Sequence, residues 1–217
     1  MKYLGSKNKI AQSLLSVMLL RRDPDQFWIE PFVGGGNMID KVPGNRIGGD
    51  SNRFAIEGLI SIRDHVHELP RNNSEFTEKD YYYLPYSDFP HKGFAGFAYS
   101  FKGKWMGGWS RGANRDYVYE SYHNAVAQSN LLQGVELVVS SYEYLKIPEN
   151  SFIYCDPPYK NTTKYIHTFD HPRFWDWCRL QVENGHTVYV SEYEAPKDFK
   201  CVWSQKLEKL WLLEPKQ

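Results

Sequence analysis

Asp156-Pro157-Pro158-Tyr159 places a carboxylate, two prolines and an aromatic ring in four consecutive positions. Each proline fixes its own φ, lacks an N–H and pushes the residue before it towards extended geometry. The backbone there is a rigid shelf, from which the Asp156 carboxylate and nearby carbonyls can accept hydrogen bonds and the Tyr159 ring can stack. Phe152-Ile153-Tyr154-Cys155 precedes it as an unbroken apolar run, the pattern of a strand covered on both faces. Open α/β sheets bind ligands at the carboxyl ends of such strands.

Three further stretches could act with the shelf. Phe27 to Val33 reads as a first strand running into Gly34-Gly35-Gly36-Asn37, where a ligand can approach backbone closely because no Cβ intervenes. The dinucleotide fingerprint would place a third glycine at position 39, which is Ile39, so phosphate binding gains no support. Gly48-Gly49-Asp50 ends a second strand, and an acid there commonly accepts hydrogen bonds from ribose hydroxyls. The loop and the acid together favour a nucleoside-type cofactor. Gly5-Ser6-Lys7 can present N–H groups and an ammonium to a carboxylate or phosphate, although it is not a P-loop.

A longer stretch runs from Asp88 to Asp116, with no acidic residue between them. It carries Lys92, Lys102, Lys104, Arg111 and Arg115, interleaved with Phe89, Phe94, Phe97, Tyr99, Phe101, Trp105, Trp109 and six glycines. Its amphipathic periodicity is poor, so it reads as a flexible loop rather than an ordinary helix or core strand. Basic residues among aromatics suit contact with phosphates and stacking on bases. The competing expectation is an aromatic lid packed on the core with solvated basic residues.

Around these stretches the pattern alternates strands and helices. A helix is expected from Ile10 to about Leu20, and a second after Asn52 as its cap, through Ile56, Leu59, Ile60 and Arg63. Further helices are expected over Ala125 to Leu132 and from Asp170-Pro172 to Gly185. Strands are expected over 135–139, 152–155 and 187–190, and closing strands at Val202-Trp203 and Leu207 to Leu213. The fold class is α/β, a Rossmann-like sheet with helices on both faces. Residues 1–64 and 123–217 form its core domain, and 65–122 are an insertion.

The chain has 217 residues, with Lys+Arg and Asp+Glu both 26, so net charge argues neither for nor against a nucleic-acid partner. The three cysteines have no paired spacing, which suggests reduced thiols and neither a zinc site nor a disulfide framework. No run approaches transmembrane length, and a soluble, cytoplasmic protein is expected.

Taken in order, these motifs resemble the Dam-like, alpha group of DNA adenine-N6 methyltransferases. Tyr3-Leu4-Gly5-Ser6-Lys7 is similar to that group's first cofactor segment, Glu30-Pro31-Phe32-Val33-Gly34-Gly35-Gly36 to its glycine turn, and Asp156-Pro157-Pro158-Tyr159 to its catalytic motif. The resemblance continues through Phe169-Asp170-His171 to Val190-Ser191-Glu192-Tyr193. It implies S-adenosylmethionine as cofactor, double-stranded DNA as partner, and no metal or membrane. It also implies that Tyr3, Lys7, Glu30, Pro31, Phe32, Gly34, Gly36, Asp50, Ser141, Tyr142 and Asp156 bind the cofactor, with Asp50 on the ribose and Ser141-Tyr142 beside the adenine. Many relatives have Asp-Phe in place of Ser141-Tyr142. Lys102, Lys104, Trp105, Trp109, Arg111 and Arg115 are the expected DNA contacts.

Adenine's amino nitrogen is a poor nucleophile because its lone pair is delocalised into the ring. Asp156 and the Pro157 carbonyl, held by Pro158, would draw on the amino hydrogens, and Tyr159 would stack on a flipped base. Cys155 precedes the acid inside a strand, whereas carbon-5 cytosine methyltransferases carry their thiolate after a proline in a mobile loop. A packed thiol is therefore expected. The alternatives are methylation of a cytosine N4 amino group, an RNA or protein amino group as acceptor, and a silent protein that binds cofactor and DNA.

Overall fold

The computed structural model describes residues 1–160 and 169–213. Its strands are β1 (Trp28–Glu30), β2 (Arg46–Asp50), β3 (Val135–Val139), β4 (Phe152–Cys155), β5 (Thr187–Ser191), β6 (Lys200–Gln205) and β7 (Glu208–Leu213). The helices are α1 (Ala11–Met18), α2 (Arg53–His65), α3 (Glu78–Tyr83), α4 (Lys92–Ala98), α5 (Tyr117–Leu132) and α6 (His171–Glu183). Among the described residues the strands form one sheet in the order β3-β2-β1-β4-β5-β7-β6.

β4 is central because its side chains have apolar partners on both faces. Phe152 and Tyr154 join Trp28 and Tyr189 on one face, against Leu14 and Met18 of α1, Leu59 of α2 and Leu132 of α5. Ile153 and Cys155 join Ile29, Val188 and Val190 on the other, against Phe174, Trp177 and Cys178 of α6. The two-residue period of a strand sorts the run in this way. Phe152 stacks on Trp28 at 5.2 Å and on Tyr189 at 5.1 Å between ring centres, so one aromatic row ties β1, β4 and β5 together. This is the expected α/β, Rossmann-like sheet with helices on both faces.

β1 pairs in parallel with both β2 and β4, with Trp28 opposite Arg46 and Phe152. From β1 the chain moves outward through β2 to β3, then returns to β4 and moves outward the other way through β5. A crevice opens where the order reverses, at the carboxyl ends of β1 and β4. The glycine turn after β1 and the Asp156 shelf after β4 therefore face each other by topology. β7 is antiparallel to β5, so its first residue, Glu208, lies at the same end of the sheet.

Several boundaries differ from expectation. β1 spans three residues because Pro31 has no N–H for the ladder and Val33 opens the glycine turn, its carbonyl accepting from the Gly36 N–H at 2.9 Å. α5 begins at Tyr117 rather than Ala125, capped by the Asp116 side chain on the Tyr119 N–H. The expected insertion, 65–122, thus ends inside a helix. Nor is the 88–116 stretch a structureless loop, because Gly93 to Ala98 of α4 are all buried. A helix buried on every side has no polar face, and its amphipathic signal vanishes. Phe94, Phe97 and Tyr99 belong to the core that also contains β4. A Cβ on Gly93 would lie 2.5 Å from the Phe54 carbonyl oxygen, so glycine is what lets α4 sit on α2.

Candidate functional site

The Asp156 shelf and the N-terminal segment meet across the crevice. Lys7 Nζ lies 2.9 Å from Asp156 Oδ1 and 3.8 Å from Glu208 Oε2, with the lysine almost fully buried. The same ammonium sits 4.5 Å from the centre of the Tyr159 ring, within cation–π range. Tyr159 donates its hydroxyl to Glu208 Oε2 at 2.9 Å, and the Tyr193 ring meets it edge-on at 4.7 Å. Lys7 therefore has two carboxylates in reach, and Tyr159 is held both at its hydroxyl and at its ring.

Burial shifts these groups unequally. It pushes the Asp156 carboxyl above its usual range, and Glu208 adds to the rise while Lys7 pulls it back. Burial works against the Lys7 ammonium, but Asp156 and Glu208 outweigh it and hold that pKa above the ordinary lysine value. Burial also pushes the Tyr159 phenol far up, so it remains a donor. Among the described residues Glu30 has no ion pair of the kind Asp156 makes. It accepts from the Trp28 indole N–H at 2.7 Å, and burial drives its carboxyl well above the usual range.

The other end of the crevice has a different character. Asp50 accepts the Gly34 N–H at 3.0 Å and the Asn52 N–H at 2.9 Å, one on each carboxylate oxygen. Burial raises its pKa against those two bonds. The Phe32 and Tyr142 rings stack at 5.5 Å, and Phe169 meets Phe32 edge-on at 5.8 Å. Ser141 Oγ is buried with no hydrogen-bond partner among the described residues. Such a group ordinarily has one, so it marks a place for a ligand or a water.

One cavity of about 730 Å³ joins both ends. Of the expected cofactor and catalytic residues it is lined by Tyr3, Lys7, Glu30, Pro31, Phe32, Gly34, Asp50, Ser141, Tyr142, Asp156, Pro157, Pro158 and Tyr159. Gly36 does not line the cavity. A Cβ there would meet Leu59 of α2 at 3.0 Å, so its freedom serves helix packing, and Gly35 lines the cavity in its place. The volume lies within the range of small-molecule and cofactor sites. A planar aromatic floor, an acid at the β2 end and an unpaired buried hydroxyl fit a nucleoside.

Asn37 and Tyr193, quoted within motifs but given no role, also line the cavity, as does Glu208, which was not singled out from the sequence. Glu208 is separated from Asp156 by 52 positions in the chain. The signal that could have found it is the antiparallel course of β7, which turns its first residue towards the β4 end.

A second cavity, of about 660 Å³, lies on the other side of the N-terminal segment. Lys2, Lys9, Lys102, Arg111 and Arg115 line it, against a single acid, Glu120. Lys2 donates to Ser110 Oγ at 2.9 Å. Arg111 is paired with Glu78 and Arg115 with Glu120. Lys104 is exposed and outside both cavities. The two expected base-stacking tryptophans are half-buried and pack on neighbouring rings. Trp105 stacks on Phe54 at 4.1 Å, and Trp109 packs on Tyr81 and Tyr99 at 5.6 and 6.0 Å. The aromatic lid packed on the core is the arrangement found.

Cys155 is fully buried and its thiol is pushed up by burial, as a packed thiol should be. Among the described residues no group of three or more His, Cys, Asp or Glu could hold a metal, and no helix is long and apolar enough to cross a membrane.

No family model matches the sequence, and no curated protein matches it. A solved structure described as SMU.472, a candidate methyltransferase complexed with SAH, aligns with 97% of this chain at 11% identity and a TM-score of 0.38. The chain spans 53% of that structure's length. The overlap is too slight to carry any function across, so the site rests on its own residues.

Proposed function

We propose that the protein is a DNA adenine methyltransferase, which transfers a methyl group from S-adenosylmethionine to the N6 amino group of a flipped-out adenine. The observation that carries this function is the single cavity joining the Asp156-Pro157-Pro158-Tyr159 shelf to the nucleoside-like end at Asp50, Phe32 and Ser141. S-adenosylmethionine, when bound, supplies a methyl group already activated by a sulfonium.

Asp50 would hold the ribose hydroxyls, and its two backbone donors fix the carboxylate for that purpose. Ser141 Oγ and the Phe32–Tyr142 stack would take the adenine of the cofactor. On the shelf, Asp156 and the Pro157 carbonyl would accept the two amino hydrogens of the target base. Drawing on both hydrogens would free the nitrogen lone pair to take up the methyl group that the bound cofactor would supply. The amino nitrogen then loses one proton. Asp156, whose pKa burial raises, is a fitting acceptor. Tyr159 would stack on the base, repaying part of the roughly few kcal/mol that flipping costs.

The second cavity supports a nucleic-acid acceptor over a protein one. Lys2 lines it while Tyr3, the next residue, lines the first. Phosphates held at the basic cavity would thus be bound next to the segment that carries Tyr3 and Lys7, and five cations against one acid suit a phosphate backbone.

The test is kinetic long-read sequencing of DNA from a methylation-free host that expresses the chain, with Asp156→Ala as the blank. N6-methyladenine in a fixed context, absent from the blank, is the expected result. N4-methylcytosine would move the function to the cytosine amino group. Unmodified DNA from both hosts would overturn it.

A further inference from the structure

We propose that Glu208 sets the site's preference for a cationic sulfonium over the neutral thioether left after methyl transfer. The proposal rests on the methyl-transfer function above and adds a residue that the sequence motifs do not include.

Lys7 is almost fully buried in the cavity that would receive the methyl donor. An ammonium there repels a second cation. Asp156 at 2.9 Å neutralises it, but only one for one. Glu208, 3.8 Å from the same nitrogen, supplies the second carboxylate. One ammonium against two carboxylates leaves one negative charge in excess, which a sulfonium would balance. Once the methyl group has left, the sulfur is neutral and the excess returns, so the product gains nothing from Glu208.

The other acids nearby are poor substitutes. Burial pushes the Glu30 carboxyl well above the usual range, which favours its neutral form. Glu192 is likewise raised by burial, and its Oε1 accepts the Lys160 N–H at 2.8 Å. Glu208 is only about a third exposed and stands at the cavity wall. It accepts a hydrogen bond from the Tyr159 hydroxyl, and a glutamine carbonyl can accept that bond equally well. Glu208→Gln therefore removes the charge and leaves Tyr159 a partner.

Isothermal titration of wild type and Glu208→Gln with S-adenosylmethionine and, separately, with S-adenosylhomocysteine tests the idea. Glu208→Gln is expected to weaken S-adenosylmethionine binding roughly tenfold, a modest interaction for two charges in one partly buried cavity, and to leave S-adenosylhomocysteine within about twofold. Glu208→Asp, which keeps the charge, should restore most of the difference. Equal weakening of both ligands, or of neither, would overturn the role of Glu208 while leaving methyl transfer standing. Failure of the wild type to bind either ligand would overturn the function itself, and this inference with it.

Discussion

Glu30 and Asp156 are carboxyls raised by the same cause, burial, yet their surroundings give them different work. Asp156 has the Lys7 ammonium at 2.9 Å, whereas Glu30 has the Trp28 indole N–H. A carboxyl raised in the folded state binds protons more tightly folded than unfolded. Stability therefore falls as pH rises from the ordinary glutamate value through the folded one. Glu30→Gln keeps an acceptor for Trp28 and cannot ionise. Thermal unfolding across pH 4 to 8 should find the variant's Tm level with wild type at the acid end and increasingly above it towards neutrality. A constant gap at every pH would mean that packing, not charge, separates the two. The same logic explains why Glu30 suits the cavity wall, since a neutral carboxyl there does not neutralise Lys7.

Among the elements, the contact between α2 and α4 depends on the close approach that Gly93 allows. A methyl group on Gly93 would sit 2.5 Å from the Phe54 carbonyl oxygen and 2.7 Å from the Gly58 nitrogen. Both are backbone atoms, so no rotamer change relieves the clash and the helices must separate. Overpacking of this kind costs about 1–3 kcal/mol, against about 1 kcal/mol regained in helix propensity. Gly93→Ala should lower the urea midpoint with the m-value unchanged, and a midpoint at or above wild type would refute the close contact. α4 is also where the sequence was least legible. Its burial on every side erased the amphipathic pattern, and the basic residues, aromatics and glycines in and after it read as a flexible loop. β4 was legible for the converse reason, because a strand buried on both faces is written as a continuous apolar run. Asp50 and Asp156 could be read because Asp50 ends its strand and Asp156 directly follows its own. Glu208 could not, since only the antiparallel pairing of β7 brings it to them. Gly36 lies outside the cavity lining because the space left by its missing Cβ is taken by Leu59 of α2.

For the whole molecule, zero net charge conceals a local imbalance that only the fold assembles. Lys2 and Lys9 come from the N-terminal segment and Lys102, Arg111 and Arg115 from the stretch between α4 and α5, and they meet around one cavity. If all five contact phosphates, log affinity for a DNA duplex should fall with log salt at a slope of about −4.5. Arg111 and Arg115 are already paired with Glu78 and Glu120, so releasing them returns part of that gain. The three lysines alone give about −2.7, and the wild-type slope should lie between these limits. Lys9→Ala with Lys102→Ala should flatten it by about 1.8. Lys197→Ala with Lys200→Ala, two exposed residues at the far side of the sheet near and on β6, should leave it unchanged. Equal flattening by both pairs would mean that the duplex follows diffuse surface charge rather than the cavity. A slope near zero in the wild type would remove DNA as the partner, and the shelf at Asp156 would then need an acceptor that carries no phosphate.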